Sequence, residues 1–170
     1  PHMGDGGLTF GAACNLNFEL TKKSKIKLEH VFYGHSYSDR EIGKSLSKFK
    51  KKLLFKKLDN IKTKIVTELM NNKVVGFFQG RMEFGPRALG SRSILFHAKD
   101  KSANDWLNKK LKRTEFMPFA PVTPLRLANK CYEKWDKKNS CTPYMTQTFK
   151  CKKDFILEHP AVVHIDGTAR

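Results

Sequence analysis

The sequence contains no long hydrophobic run and few acidic residues. No apolar stretch approaches the roughly 18–20 residues that span a bilayer, and the amino end shows no charged-then-apolar signal peptide. Only 16 acidic residues face 33 lysines and arginines, which gives the 170-residue chain a formal net charge of +17. We therefore expect a cytoplasmic protein that meets an anion: nucleic acid, a membrane surface or a small phosphorylated ligand.

Cysteine is also scarce, and its spacing matches no metal site. The four cysteines include no Cys-x-x-Cys pair, and no histidine pair at zinc-ligand spacing accompanies them. Reduced structural thiols are therefore predicted, as is usual for cytosolic proteins.

Strand-like and helix-like segments alternate, which predicts an α/β or α+β domain with a real core. Helix starts are predicted near Leu8 or Thr9, at a capping box formed by Ser38 and Glu41, and at Asp59 or Asn60. Further elements are predicted as follows: a strand-like run at 30–34, a strand buried on both faces at 74–78, an apolar run at 94–96, a helix at 103–111 capped by Ser102, a Leu-rich helix at 125–135, and a final strand at 161–166.

Positive charge in this chain is of two kinds, and the first is a run of lysines. Residues 48–57, called the lysine block below, carry six lysines. A solvated helix face and a polyanion-binding patch are both compatible with this run. No interleaving of aromatics of the kind that stacks bases supports the second interpretation.

The second kind is an arginine cluster. Three of the seven arginines, Arg81, Arg87 and Arg92, fall within twelve residues that are rich in glycine and serine. Glycines let backbone N–H groups approach a ligand, and arginine binds phosphate or carboxylate at two points. After a buried strand, such a loop lies where α/β folds place phosphate sites. The alternative is a structural turn in which Glu83 pairs with an arginine.

Two further stretches carry candidate ligand-binding residues. Lys112 and Arg113 precede a proline-rich loop, although basic charge there also suits the end of a helix. Asp166 lies in a glycine turn near the end of the chain, where it could hold Mg²⁺ or a hydroxyl, or simply cap the turn.

Three motifs, GRMEFGPRALGSRSIL, LKRTEFMPFAPV and AVVHIDGTAR, occur in this order. They resemble the carboxy-terminal region of the O-carbamoyltransferase family, the NodU-like nodulation and antibiotic carbamoyltransferases. The opening PHMGDGGLTFGAA resembles the end of their amino-terminal ASKHA-type domain. The resemblance implies that residues 1–20 end that domain, that 21–29 form a linker, and that 30–170 form an incomplete YrdC-like domain, a mixed sheet with flanking helices.

The resemblance also implies a reaction. The YrdC-like domain of the family makes carbamoyl-adenylate from carbamoyl phosphate and ATP, with Mg²⁺ and release of pyrophosphate. The ASKHA-type domain, which carries an iron in characterised relatives, passes the carbamoyl group to a hydroxyl of a sugar or natural product. We expect the present chain to be a fragment that does not turn over alone.

Site residues follow from matching positions in these motifs. Catalytic roles are implied for Arg87, Arg92, Lys112 and Arg113; nucleotide binding for Arg81, Ser93, Asp166, Thr168 and Arg170; and a metal-ligand role for Asp5. The chain departs from many relatives in two ways, because Lys112 and Arg113 are adjacent and Met117 stands where an arginine is common.

The expected partners are carbamoyl phosphate, ATP and a hydroxyl acceptor, with an oligomer left open. Neither nucleic acid nor a membrane is expected to bind. The alternative function is a polyanion- or RNA-binding module of YrdC-like shape without catalysis, and a non-catalytic scaffold is a third hypothesis. The choice of acceptor should rest largely with the amino-terminal domain.

Overall fold

The computed structural model describes residues 2, 4–23, 28–113, 119–139 and 141–170. Part of the predicted linker, 24–27, and part of the proline-rich loop, 114–118 with Met117, therefore lie outside the described residues. The chain forms two compact units, Pro1–Leu95 and Phe96–Arg170.

Three helices begin the first unit: α1 (Leu8–Thr21), α2 (Asp39–Ser47) and α3 (Ile61–Met70). The predicted helix starts are confirmed. The Ser38 hydroxyl accepts a hydrogen bond from the N–H of Glu41 at 3.3 Å, and the Glu41 carboxylate accepts one from the N–H of Ser38 at 2.8 Å. The Asn60 side chain accepts from the N–H of Thr63 at 3.1 Å, so Asn60 is the cap of α3.

A two-stranded antiparallel sheet completes this unit. Strand β1 (Val75–Phe78) pairs with β2 (Arg92–Leu95), from Val75↔Leu95 to Phe78↔Arg92. The prediction that this first strand is buried on both faces is wrong, since alternate residues are exposed and Phe78 is 69% exposed. A strand in a two-stranded hairpin shields one face, whereas a strand inside a parallel sheet is covered on both.

The strand-like run at 30–34 forms only an isolated bridge between Phe32 and Glu83. The carbonyl of Val31, which is 2% exposed, accepts from the N–H of Phe84 at 2.6 Å. The N–H of Gly34 donates to the Met82 carbonyl at 3.0 Å. This segment therefore anchors the start of the connection between β1 and β2.

Short elements make up the second unit: α4 (Ser102–Lys110), a 3₁₀ turn (Leu125–Leu127) leading into α5 (Ala128–Cys131), a 3₁₀ turn (Thr142–Tyr144), β3 (Phe149–Lys150), α6 (Lys153–Glu158), a 3₁₀ turn (Pro160–Val162) and β4 (Thr168–Ala169). Strands β3 and β4 pair antiparallel. The core of this unit joins Cys151, Phe155, Val163 and Ala169.

Three predictions for this unit are wrong in detail. The Leu-rich helix ends at Cys131, because the backbone of Tyr132 turns extended and bridges to Cys151. The final strand lies at β4 instead of 161–166, beyond the Gly167 turn. Ser102 is the first residue of α4, and its N–H donates to the Asp100 carboxylate at 2.9 Å.

Helices and small antiparallel sheets together confirm the predicted α/β or α+β class. The cysteines are free thiols, as predicted. Of the helices in the described ranges, none has both the length and the apolar character needed to cross a membrane.

Candidate functional site

Arg81 and Arg87 lie in the connection between β1 and β2, residues 79–91, called the arginine loop below, and Arg92 is the first residue of β2. The loop follows strand β1, as predicted, and joins it to an antiparallel neighbour. Its path needs left-handed backbone at Gly85 (φ 113°) and Gly90 (φ 105°), a region that other residues seldom adopt.

Glu83 organises the interior of this loop. Its side chain is 7% exposed, and one carboxylate oxygen accepts the backbone N–H groups of Leu89 at 2.8 Å, Ser91 at 2.7 Å and Arg92 at 3.3 Å. Burial alone would raise the pKa of Glu83, but the N–H groups of Leu89 and Ser91 bring that pKa below its ordinary value. No arginine side chain pairs with Glu83 in the described ranges, so the ion pair of the alternative interpretation is absent there, and the only arginine group that Glu83 binds there is the backbone N–H of Arg92.

Arg92 joins the two ends of the loop. Its guanidinium donates to the carbonyls of Gln79 at 2.7 Å, Ser91 at 2.8 Å and Gly80 at 3.2 Å. The same group lies 3.5 Å above the ring of Phe78. Planar guanidinium suits this double role, because it donates in its plane and stacks on its face.

The other two arginines behave differently. Arg81 and Arg87 are exposed, and neither side chain makes a hydrogen bond or ion pair with any residue that the structure describes. The half-buried Ser93 hydroxyl accepts from the N–H of Gly90 at 3.0 Å. The structure thus places Arg81 and Arg87 in the arginine loop, and Arg92 and Ser93 directly after it on β2. The guanidiniums of Arg81 and Arg87 are engaged by no residue that the structure describes.

Gly34 is part of this site and carried no signal in the sequence. A Cβ atom at Gly34 would lie 2.7 Å from the Cβ of Met82 and 3.0 Å from its backbone N and O. Only glycine lets the 31–34 segment approach the loop this closely. The role of Glu83 as an acceptor for three N–H groups was likewise not predicted.

In the second unit, Lys112 and Arg113 follow the end of α4. Lys112 has a left-handed backbone (φ 53°), and the N–H of Arg113 donates to the Asn108 carbonyl at 2.9 Å. The Arg113 guanidinium lies 5.2 Å from the centre of the Phe119 ring. Both residues are exposed, and the loop directly after them lies outside the described ranges.

Asn104 supports this region, although nothing in the sequence marks it as a site residue. Its amide donates to the Ala161 carbonyl at 2.6 Å and accepts from the N–H of Phe119 at 3.4 Å. It therefore ties α4 to two later segments of the chain. A single asparagine in a helix gives no sequence pattern that would reveal this role.

Asp166 and Thr168 meet in one turn. An Asp166 oxygen accepts from the Thr168 N–H at 2.9 Å and hydroxyl at 2.7 Å, and Nδ1 of His164 lies 3.1 Å from it. The hydrogen bonds from Thr168 lower the pKa of Asp166, and that carboxyl stays ionised at neutral pH. Arg170 follows and is exposed. Asp166 thus caps the turn through one oxygen, and its second oxygen accepts no hydrogen bond from any residue that the structure describes.

Asp5 is exposed on a 3₁₀ turn (Asp5–Gly7) before α1. Within the described ranges, no group of three or more histidine, cysteine or acidic side chains could hold a metal ion. These residues alone do not make an iron site, because such a site needs several ligands at once.

Comparison with known sequences identifies the family. The family model for the carbamoyltransferase C-terminus matches residues 66–170. An uncharacterized protein of Methanocaldococcus jannaschii is 35% identical over the whole chain, which covers 32% of that relative. The nodulation protein NolNO of Sinorhizobium fredii is 32% identical over the whole chain and 25% of its own length. Nodulation protein U of Rhizobium tropici is 40% identical over 62% of the chain and 18% of its own length.

The chain thus spans about a third or less of the relatives that it matches. The matched range includes the arginine loop, the Lys112–Arg113 pair and the Asp166 turn, and the resemblance seen in the three motifs is confirmed. The chain belongs to the carbamoyltransferase C-terminal family.

Proposed function

We propose that the complete protein is an O-carbamoyltransferase. Water first releases phosphate from carbamoyl phosphate to leave carbamate, whose oxygen displaces pyrophosphate from ATP to form carbamoyl-adenylate. The carbamoyl group then passes to a hydroxyl, and AMP leaves. Residues 1–20 end an ASKHA-type domain, 21–29 are a linker, and 30–170 belong to a YrdC-like domain. One observation carries the proposal. Hydrogen bonds to Glu83 and from Arg92 hold the backbone of the arginine loop, while the guanidiniums of Arg81 and Arg87 are exposed.

This arrangement suits substrates that are densely anionic. Forming an adenylate moves negative charge onto a leaving pyrophosphate, and fixed cations lower the barrier by neutralising that charge. Guanidinium forks match the geometry of phosphate oxygens and keep their charge at any physiological pH. We assign this role first to Arg87, with Arg81 and Ser93 holding the nucleotide phosphates.

The second unit contributes further proposed contacts. Lys112 and Arg113 are exposed cations beside a proline-rich loop, and we assign them to charge neutralisation. Asp166, Thr168 and Arg170 are assigned to the nucleotide, with Asp166 as a residue that could hold its Mg²⁺ through the second carboxylate oxygen. The ASKHA-type domain would supply the iron site, because the described residues do not form one by themselves. It would also supply the binding site for the hydroxyl acceptor.

The test is carbamoyl-phosphate-dependent release of pyrophosphate from ATP by the polypeptide expressed from its complete reading frame, called the complete polypeptide below. Arg87→Ala should lower this release about 10²- to 10³-fold, as the loss of one charge-stabilising donor does. Arg126→Ala is the matched control, since Arg126 is an exposed arginine outside the three motifs. Absence of release from folded, iron-loaded wild-type protein would contradict the proposal.

A polyanion-binding module is the second candidate, favoured by the exposure of the lysine block. All of its lysines are exposed in the structure. Such a surface binds phosphate backbones with an affinity that falls steeply with salt. Replacing the lysines by glutamine should abolish this binding, while Arg87→Ala should leave it unchanged. Pyrophosphate release that is lost in Arg87→Ala and kept in the lysine-to-glutamine variant would exclude this candidate.

A further inference from the structure

Four consecutive backbone N–H groups at the end of the arginine loop, residues 89–92, already donate inside the protein. In many phosphate-binding loops, successive N–H groups form a concave nest that cradles the anion. Here the N–H groups of Leu89, Ser91 and Arg92 donate to Glu83, and that of Gly90 donates to Ser93. A buried carboxylate oxygen thus stands where a phosphate oxygen would stand in such a nest.

Arg92 is used in the same way. Three of its guanidinium hydrogen bonds go to loop carbonyls, and one of its faces lies on Phe78. Glu83 thus accepts from N–H groups at the end of the loop, and Arg92 donates to carbonyl groups at both of its ends. By contrast, Arg81 and Arg87 are engaged by no residue that the structure describes.

We propose that Glu83 and Arg92 are positioning residues, which brace the arginine loop, and that Arg81 and Arg87 make the contacts with the phosphate-bearing substrate. This division of roles rests on the proposed function. An ordered loop loses less conformational entropy when the ligand binds, so bracing strengthens binding without any contact to the ligand. The loop then recognises phosphate through side chains, unlike a nest, which uses its backbone.

The proposal makes a prediction opposite in sign to simple electrostatics. Glu83 is an anion near an anion site, so removing its charge would strengthen phosphate binding if charge alone mattered. If bracing dominates, removing the carboxylate weakens binding, because the loop must then be ordered at the moment of binding. The two effects are therefore separated by the direction of the change.

The experiment measures binding of inorganic pyrophosphate to the complete polypeptide by calorimetry, alone and in a double-mutant cycle. Glu83→Ala should weaken binding about 10-fold in the wild type but only about 2-fold in an Arg87→Ala background, since coupled residues are not additive. Glu83→Gln, which keeps an acceptor oxygen, should restore part of the loss. Tighter or unchanged binding by Glu83→Ala, or equal losses in both backgrounds, would overturn the proposal.

Arg92→Lys separates positioning from contact. A lysine keeps the charge but lacks the planar fork that reaches three carbonyls. If Arg92 positions the loop, Arg92→Lys should lose as much pyrophosphate affinity as Arg92→Ala. If the lysine variant keeps most of the affinity, Arg92 acts through its charge on the anion, and its assigned role is wrong.

Amide hydrogen exchange measures directly whether Glu83 protects the N–H groups that donate to it. The N–H groups of Leu89, Ser91 and Arg92 should exchange slowly in the wild type and fast in Glu83→Ala, while helices α2 and α3 keep their protection as a control for folding. Fast exchange of these three in the wild type, or no pyrophosphate binding by it, would contradict the proposal. Neither measurement needs turnover, so failure of the carbamoyltransferase assay is distinguishable from failure of this inference.

Discussion

The guanidinium of Arg92 lies 3.5 Å from the centre of the Phe78 ring. The two residues also face each other in the last pair of the β1–β2 ladder, next to the arginine loop. The ring is 69% exposed, and its partner is a cation whose donors are bound to loop carbonyls. The exposed Phe78 ring therefore covers the guanidinium that holds the ends of the arginine loop together.

Removing this ring should destabilise the loop. Phe78→Ala is expected to lower the free energy of unfolding by about 1 kcal/mol, the scale of a partly exposed cation–π contact. Phe78→Tyr keeps the ring and should retain most of that stability. Chemical denaturation followed by fluorescence would measure both, and equal stability of the alanine variant and the wild type would refute a role for the stack.

Gly34 is the site where a single methyl group should matter most. In Gly34→Ala the new Cβ would lie 2.7 Å from that of Met82, so one of the two segments must shift. We expect a loss of about 1–3 kcal/mol, as in other overpacked sites. Gly43→Ala is the matched control, because a Cβ at Gly43 meets nothing within 4 Å and its position in α2 favours alanine. Equal effects of both substitutions on the melting temperature would count against the close approach.

Glu68 should make stability depend on acid pH. Its carboxylate pairs with Nζ of Lys64 at 2.5 Å and with Nζ of Lys73 at 2.7 Å. Hydrogen bonds from Lys64 and then Lys73 lower the pKa of Glu68 from 4.5 to about 2. Because the folded-state pKa is depressed, the stabilisation is complete above pH 4.5 and is lost as the pH falls toward 2.

A carboxyl titration followed by ¹³C NMR would check this value. In the double variant Lys64→Ala/Lys73→Ala, the titration midpoint of Glu68 should rise toward 4.5. Glu68→Gln should flatten the dependence of stability on pH in this window. A midpoint that the two alanine substitutions do not move would show that the ion pairs are not its cause.

Asp166 offers a test that separates a turn cap from a ligand-binding carboxylate. Asparagine keeps the oxygen that accepts from Thr168 but loses the charge. If Asp166 only caps the turn, Asp166→Asn should match the wild type in both stability and pyrophosphate release, while Asp166→Ala loses about 1 kcal/mol of stability. If it holds Mg²⁺ or nucleotide, Asp166→Asn should remain stable but lose release at limiting Mg²⁺.

Helix starts were predictable because their causes are local. The capping box of Ser38 and Glu41 spans three residues, and the Asn60 cap reaches only Thr63. The burial of strand β1 was not predictable from the sequence, because the number of its faces that are covered depends on segments that are distant in sequence. The run at 74–78 was therefore predicted to be more buried than β1 is.

Some features of the candidate site were likewise predictable from the sequence, and others were not. The residue types of the arginine loop, the family and the glycines that permit its path were all readable from the motif. The roles within the loop were not, since Glu83 bonds N–H groups six to nine residues away and Arg92 bonds carbonyls up to thirteen residues away. Such contacts require a particular path of the backbone.

The sequence by itself thus determined the caps of α2 and α3, the basic charge and the motif that assigns the family, since each depends on residue types and short spacings. Only the tertiary structure decided that Glu83 fills the nest of N–H groups, that Arg92 is bound within the loop, and that Gly34 must lack a side chain. The physical reason is that hydrogen bonds and steric contacts depend on distances between atoms, which distant segments acquire only when the chain folds.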